Sequence, residues 1–425
     1  MKTLIKNQYN NHKETIHNFF WRSLQTFGKQ GITFLIFILC AKLLTPYDFG
    51  IYNYALAIIF FLIIFGDFGI STATSKYVAE YNVTDKNKLK SVLFNSGIII
   101  LGLTIIITIL TLLIGSYYLK EKYIYVLFLL PLIFLAPMTS LYDGIYRGLK
   151  RFKQLAIISL IVGVFSLSFV YILIKTYGLI GALIAQNLFY LILFVALASG
   201  YREFHFKWNK EVMKNVTNYS IIIGIADLGY FIFTRINTLI LGHYNLILEI
   251  GYYELINKIF IILVIPFTIF SQVIAPTITE LYSKNKNKEI KSKYIEYILL
   301  SLVISLVLAI FIWISFPTLL KLFLDKYNNV IVITSMNLLL IVLVSQCIGT
   351  VTAVGFSTAS GNAKLNMYWL LFFGVLNVIL SVLFVKNFGY IGIIYSTVII
   401  KLSCDITFIG YYYMKLRRNV KNEKA

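Results

Sequence analysis

Residues 91–115 read SVLFNSGIIILGLTIIITILTLLIG, and no charged side chain interrupts the chain between Lys90 and Lys120. As a helix this stretch is about 37 Å long, more than the hydrocarbon core of a bilayer. It lacks the strict two-residue alternation of a membrane barrel strand. Runs of the same kind recur at 20–44, 51–77, 123–147, 152–174, 178–199, 216–242, 250–277, 295–317, 330–356, 365–385 and 390–413. The pattern therefore predicts an all-α integral membrane protein with twelve transmembrane helices.

Composition agrees. Of 425 residues, 59% are hydrophobic and 13% charged, which departs from the makeup of a water-soluble domain and leaves little chain for one. The formal charge of +20 would suit a nucleic-acid partner if the basic residues were clustered. They are instead spread over short segments between apolar runs, where positive charge fixes orientation and attracts anionic headgroups of membrane lipids, so no nucleic acid is expected. Cys40, Cys347 and Cys404 stand in apolar runs without His or acid at ligand spacing, so neither a disulfide framework nor a metal site is expected. The first 18 residues are polar and Asn-rich and do not resemble a cleaved secretory signal.

Alternate connections differ sharply in basic residues. The N-terminal segment, 76–90, 147–153, 202–214, 284–293, Lys364 and the tail together carry 28 of the 38 Lys and Arg. The opposite connections carry 7, and Arg235, Lys258 and Lys401 fall inside spans. Both termini are thus expected on the cytoplasmic side.

The chain also repeats itself at a spacing near 200 residues. Gly50-Ile51-Tyr52 opens the second run and Gly251-Tyr252-Tyr253 the eighth, while Tyr177-Gly178-Leu179-Ile180-Gly181 matches Phe388-Gly389-Tyr390-Ile391-Gly392. A fainter pair is Gly148 to Phe152 beside Gly361 to Leu365. Such a repeat predicts two six-helix lobes, 1–199 and 216–425, joined by a cytoplasmic basic linker at 200–215, with a cavity between them.

Several of these segments resemble a known family. Ala41-Lys42-Leu43-Leu44-Thr45-Pro46-Tyr47-Asp48-Phe49-Gly50-Ile51-Tyr52 is similar to the signature joining the first two helices of polysaccharide exporters in the multidrug/oligosaccharidyl-lipid/polysaccharide (MOP) superfamily. Gly66-Asp67-Phe68-Gly69-Ile70, Gly144-Ile145-Tyr146-Arg147-Gly148 and Ser360-Gly361-Asn362-Ala363-Lys364, with Asn377 downstream, follow in order along nearly the whole chain. The family often has Arg where Lys42 stands. The resemblance implies a MATE-like fold in a bacterial plasma (inner) membrane and a flippase for polyprenyl-pyrophosphate-linked oligosaccharides of the O-antigen or capsular type. It implies alternating access, other glycan assembly proteins as partners, and no transfer of glycan identity.

Moving such a substrate requires a wet cavity that attracts anions, and ionisable groups within spans, each costing about 2.5–3.5 kcal/mol to insert, are the candidates to line it. Arg22 and Lys29 share a face of the first helix and are expected to draw in the pyrophosphate, with snorkelling to headgroups the competing reading. Arg235 in the seventh helix is the counterpart expected on the other lobe, against a structural ion pair. Glu254–Lys258 and Lys401–Asp405 are spaced i,i+4 and can neutralise themselves; Lys258 and Lys401 still count as substrate-binding candidates. Asp143–Arg147 has the same spacing and is expected to stabilise its lobe.

Asp67 has no basic residue at i±3 or i±4, so it is either a proton-exchanging group or the partner of another helix, Lys29 included. Asp227 carries the same ambiguity, and Asp67, Asp227, Glu254 and Asp405 form the expected ion-coupling set. Pro131, Pro137, Pro266 and Pro276 are expected to bend their helices.

No cofactor is expected, and without a Gly-rich nucleotide loop the expected driving force is a proton or sodium gradient or the membrane potential. Two alternatives remain: a MATE-like cation-coupled antiporter of small molecules, and an integral-membrane glycan polymerase. The second wants a large external loop, and the 317–330 connection offers only Lys321, Asp325 and Lys326.

Overall fold

The computed structural model describes residues 21, 23–25, 28–201 and 205–422, and no strand occurs among them. The helices are α1 (Ser23–Leu43), α2 (Pro46–Asp67), α3 (Ile70–Thr84), α4 (Lys86–Leu119), α5 (Tyr123–Phe128), α6 (Leu132–Gly148), α7 (Phe152–Gly200), α8 (Lys210–His243), α9 (Ile247–Ser283), α10 (Asn287–Phe323), α11 (Val330–Thr350), α12 (Ala363–Phe388) and α13 (Tyr390–Asn422). A π-helical segment, Val351–Thr358, continues α11.

Ten helical stretches among the described residues are long and apolar enough to cross a membrane. The twelve expected spans differ from these at two places. The expected span 123–147 is divided between the short α5 and the 17-residue α6, and the fifth and sixth spans run together as α7. Within α7, however, Gly178 leaves helical geometry at φ 56°, ψ −129°, where the turn between them was expected.

The opening stretch shows what solvent the fold is built for. On α4 the buried positions include Ser91, Asn95, Ser96, Thr104 and Thr111, while Leu101, Ile105, Ile106, Ile109 and Leu113 face outward. The helix α10 follows suit, with Ser301 and Ser305 inside and Val303, Val307, Phe311 and Ile314 outside. Polar groups turned inward and oily ones outward are stable only against lipid.

Contacts divide the chain into two compact units, Met1–Leu228 and Gly229–Ala425, with the division inside α8. In the first unit, Thr45 starts α2 as its N-cap: its hydroxyl accepts from the Asp48 N–H at 3.1 Å and donates to Asp48 Oδ2 at 2.7 Å, and Pro46 fills the first turn. The family-like Thr-Pro-Tyr-Asp segment is thus a helix start.

The expected continuous helix 51–77 is not formed. The chain leaves α2 at Phe68 (φ 39°) and Gly69 (φ 77°) and restarts as α3. Left-handed geometry suits glycine at position 69, and the Ser71 N–H, whose helical acceptor would be the Asp67 carbonyl, donates instead to Asp67 Oδ1 at 3.0 Å. Ser71 Oγ donates to the same oxygen at 2.6 Å.

Beyond the break, α3 lies against α6. The Gly144 Cα touches the Ser71 carbonyl so closely that a Cβ there would overlap it, and one on Gly148 would stand 2.7 Å from the Ser75 carbonyl. This small-residue stripe lets the two backbones meet. Around it, Ile70, Val78, Tyr81, Ile100, Ile145 and Leu197 form the core.

The first half of α8 runs antiparallel along α3. Asn215 Nδ2 donates to the Tyr81 hydroxyl at 3.1 Å, Tyr219 meets the Tyr77 ring edge-on at 6.2 Å, and Gly224 seats the Phe68 ring. A Cβ on Gly69 would fall 2.7 Å from the Ser220 carbonyl. Sparse side chains at both glycines bring the helix break directly onto α8.

In the second unit, α9 runs unbroken through Pro266 and Pro276, and the irregularity lies in the π segment. A π turn leaves carbonyls short of donors. Here Asn366 Nδ2 donates to the Ala353 carbonyl at 2.9 Å and to Thr358 Oγ1 at 2.8 Å, while its Oδ1 accepts from Ser357 at 2.9 Å. Gly389 turns the chain between α12 and α13 at φ 60°, ψ −140°, matching Gly178.

Candidate functional site

Two ionic clusters stand on this scaffold, one in each unit. In the first, Asp143 Oδ2 pairs with Arg147 Nε at 2.7 Å, and Gln25 Nε2 donates to Asp143 Oδ1 at 3.3 Å. The expected i,i+4 pair is therefore formed and also ties α1 to α6. Arg147 and Asp227 both lie within electrostatic reach of Asp67. Asp67 thus caps the broken helix, with a guanidinium and a second carboxylate nearby; Asp227 itself is exposed.

The partner expected for Asp67 among the basic residues was Lys29. Its hydrogen bonds go instead to Ser71, and Lys29 stands exposed on α1, its carbonyl accepting from Thr33 at 2.7 Å. Arg22 lies outside the described residues.

In the second unit, Glu254 is buried to 3% exposure. The i,i+4 spacing suggested Lys258 as its partner, and on the other side Arg235 Nη1 approaches Glu254 Oε2 at 3.6 Å and the Thr238 hydroxyl donates to Oε1. Packing α8 on α9 supplies partners that spacing along one helix does not reveal. Arg235 nonetheless keeps 37% of its side chain exposed. Lys258, half-buried, feels both the Arg235 cation and the Glu254 carboxylate.

The Lys401–Asp405 spacing also resolves through other helices. Asp405 Oδ2 accepts from Ser345 Oγ at 3.1 Å, and a Cβ on Gly349 would meet its Oδ1 at 2.5 Å. Lys401 Nζ sits over the Phe260 ring, 4.5 Å from its centroid, still within electrostatic reach of Asp405.

Reading ionisable residues alone missed a neutral network beside these groups. Asn237 Nδ2 donates to Thr397 Oγ1 at 2.9 Å and to the Tyr253 hydroxyl at 3.2 Å, and its Oδ1 accepts from Ser381 at 2.9 Å and Asn377 at 3.3 Å. Ser381 further bonds Ser396 at 2.8 Å. The signal was in the sequence as amides and hydroxyls inside apolar runs, which need partners in a membrane as charges do. The network fixes α8, α9, α12 and α13 around the Arg235–Glu254 pair.

Neither cluster belongs to the apolar cleft of about 440 Å³ between α6 and α7 lined by Pro131, Phe134, Leu135, Ile184, Asn187, Leu188 and Leu191. Among the described residues no group of three or more His, Cys, Asp or Glu could hold a metal ion.

Comparison with known proteins places this geometry. The family model described as polysaccharide biosynthesis protein matches residues 15–282, and the MatE model matches residues 223–383. An uncharacterized membrane protein of Methanocaldococcus jannaschii is 24% identical over 413 residues, covering 92% of this chain and 96% of its own. Among solved structures, an inward-facing multidrug resistance MATE family transporter of the MOP superfamily superposes with a TM-score of 0.80 at 17% identity, over 94% of this chain and 99% of that one. A MOP superfamily transporter from Pyrococcus furiosus gives a TM-score of 0.65 at 17% identity, over 96% of each chain. The fold is thus one found in membrane transporters.

Proposed function

This chain belongs to the polysaccharide biosynthesis protein family, within the MOP exporter superfamily, and from that premise we propose that it is a flippase for lipid-linked oligosaccharides. It moves a polyprenyl-pyrophosphate-linked repeat unit from the cytoplasmic to the outer leaflet of a bacterial plasma membrane by alternating access, for O-antigen or capsular polysaccharide assembly. It is a transporter and not an enzyme.

One observation supports an anionic cargo above the others. Within one apolar region of the second unit, Arg235 and Lys258 lie in reach of each other and share Glu254. The two cations gather where α8 meets α9, and such a pair suits a diphosphate head, which accepts charge-assisted hydrogen bonds from both. The partial exposure of Arg235 leaves its planar fork free to turn toward that head. Lys401, on α13, and Lys29, on α1, are further substrate-binding candidates of their own units, while Asp67, Asp227, Glu254 and Asp405 couple the cycle to a proton or sodium gradient.

A second reading, cation-coupled antiport of small molecules, draws on the MatE match over 223–383 and on the two carboxylates Asp67 and Asp227 standing near each other. The two separate in proteoliposomes carrying a fluorescent short-chain polyprenyl-pyrophosphate disaccharide, with reductant quenching to report its leaflet and a cationic dye as the competing cargo. The expected result is glycolipid translocation without dye movement, slowed about tenfold or more in Arg235→Ala, the scale of losing one charged hydrogen-bonded contact. Gradient-driven dye movement with a static glycolipid would overturn the export reading.

A further inference from the structure

The middle of α3 carries a basic and aromatic feature that neither ionic cluster uses. Lys76 Nζ stands 4.0 Å from the centroid of the Tyr219 ring and 4.9 Å from that of Tyr77. The Tyr77 ring stacks in turn on Tyr81 at 5.6 Å. Neighbouring lysines are already engaged: Lys86 donates to Asn82 at 2.7 Å, and Lys88 pairs with Glu211 at 2.7 Å. Lys76 is exposed, and no described carboxylate lies at ion-pair distance from it.

An ammonium held between two ring faces is positioned without being neutralised. Cation–π contact fixes its place and leaves its donors open to an anion. The flanking rings are half-buried and offer amphipathic surfaces with polar hydroxyl tips, a surface that suits sugars as well as headgroups. The neighbouring helix α6 packs on α3 here, Gly148 against the Ser75 carbonyl, and its Arg147 is already paired with Asp143, so among the described residues Lys76 is the open cation of this face.

We propose that Lys76, Tyr77 and Tyr219 form an entry subsite for the phosphate-bearing head of a membrane lipid, which docks there before it is transported. On the export reading, on which this rests for its substrate, the head is the pyrophosphate sugar of the carrier lipid. An ordinary phospholipid presents the same phosphate chemistry, so the test must separate the two sources.

The full chain is reconstituted in vesicles with a graded mole fraction of short-chain polyprenyl-pyrophosphate disaccharide, and in nanodiscs with or without phosphatidylglycerol. Lys76→Ala raises the half-saturating glycolipid fraction about tenfold and leaves the maximal rate within about twofold, because the subsite acts on capture. Lys76→Arg, which keeps the cation and its ring contacts, stays within about threefold of the parent. Lys86→Ala, removing a neighbouring lysine, leaves both values unchanged. Wild-type flipping with an unaltered half-saturation in Lys76→Ala overturns the subsite and leaves export standing. If the parent moves no glycolipid, export itself fails, and the nanodiscs decide: phosphatidylglycerol binding lost in Lys76→Ala assigns the subsite to phospholipid, and equal binding overturns it.

Discussion

The second helix of each half of the repeat starts alike and then diverges. Counting from Gly50 and Gly251, Asp67 corresponds to Thr268, and Gly69 to Phe270. Where the first half breaks at Asp67, Phe68 and Gly69, the second runs on through α9, and Thr268 merely returns its hydroxyl to the Val264 carbonyl at 3.4 Å. The glycine contacts between these helices were kept. Gly144 meets Ser71 on α3, and Gly355 meets Ser271 and Ile274 on α9. A duplicated scaffold has retained its packing contacts while relocating its irregularity: to a carboxylate-capped break in one half, to a π segment stapled by Asn366 in the other. In the first half the break also gathers charge, with Asp67 in electrostatic reach of Arg147 and Asp227.

The parts held in common should be the least forgiving. A Cβ on Gly181 would overlap the Leu173 carbonyl and one on Gly392 the Phe384 carbonyl, the same offset in each half. Gly181→Ala and Gly392→Ala should each lose about 3 kcal/mol or more, seen as lost yield and a lowered thermal transition in detergent, because backbone cannot step aside. A loss in one alone would break the equivalence of the two turns.

Gly144 and Gly355 sharpen it further. The first faces a backbone carbonyl, whereas the nearest neighbour of the second is the movable tip of Ile274, 2.8 Å from the added carbon. Gly144→Ala is expected to destabilise by about 2–3 kcal/mol and Gly355→Ala by about 1 kcal/mol, measured in the same melts.

The smallest contrast tests the divergence itself. Asp67→Ala removes the acceptor of two Ser71 bonds and should cost about 1–2 kcal/mol, whereas Asp67→Asn retains an acceptor and should stay within about 0.5 kcal/mol. Thr268→Ala, in a continuous helix, should change stability by less than about 0.5 kcal/mol. Equal losses at 67 and 268 would mean that the cap at the break contributes nothing.

Hydropathy made the helical class legible because each run must span the oil with its own backbone bonds. The glycine turns at 178 and 389 were readable too, as repeated Gly-x-x-Gly segments. The break at 67–69 was not, although Gly66-Asp67-Phe68-Gly69 stood in plain view, because uncharged, mostly small residues continue past it from Ile70 to Ser75 without a second interruption. Its decisive term is a side-chain acceptor replacing a main-chain one, which periodicity does not register. Arg235 and Glu254 were likewise invisible as a pair: they stand 19 positions apart and meet through the crossing of α8 with α9. Asn366 was passed over because a neutral amide is unremarkable until a loosened turn needs its two donors.

The corners at Gly178 and Gly389 have a practical consequence for anyone wishing to watch this molecule in cells. Each reverses the chain with no slack, so a fluorescent protein or epitope spliced there would wedge two rods apart. The exposed link from Lys284 to Lys286, between α9 and α10, touches little of the interior and is the better graft point for a label.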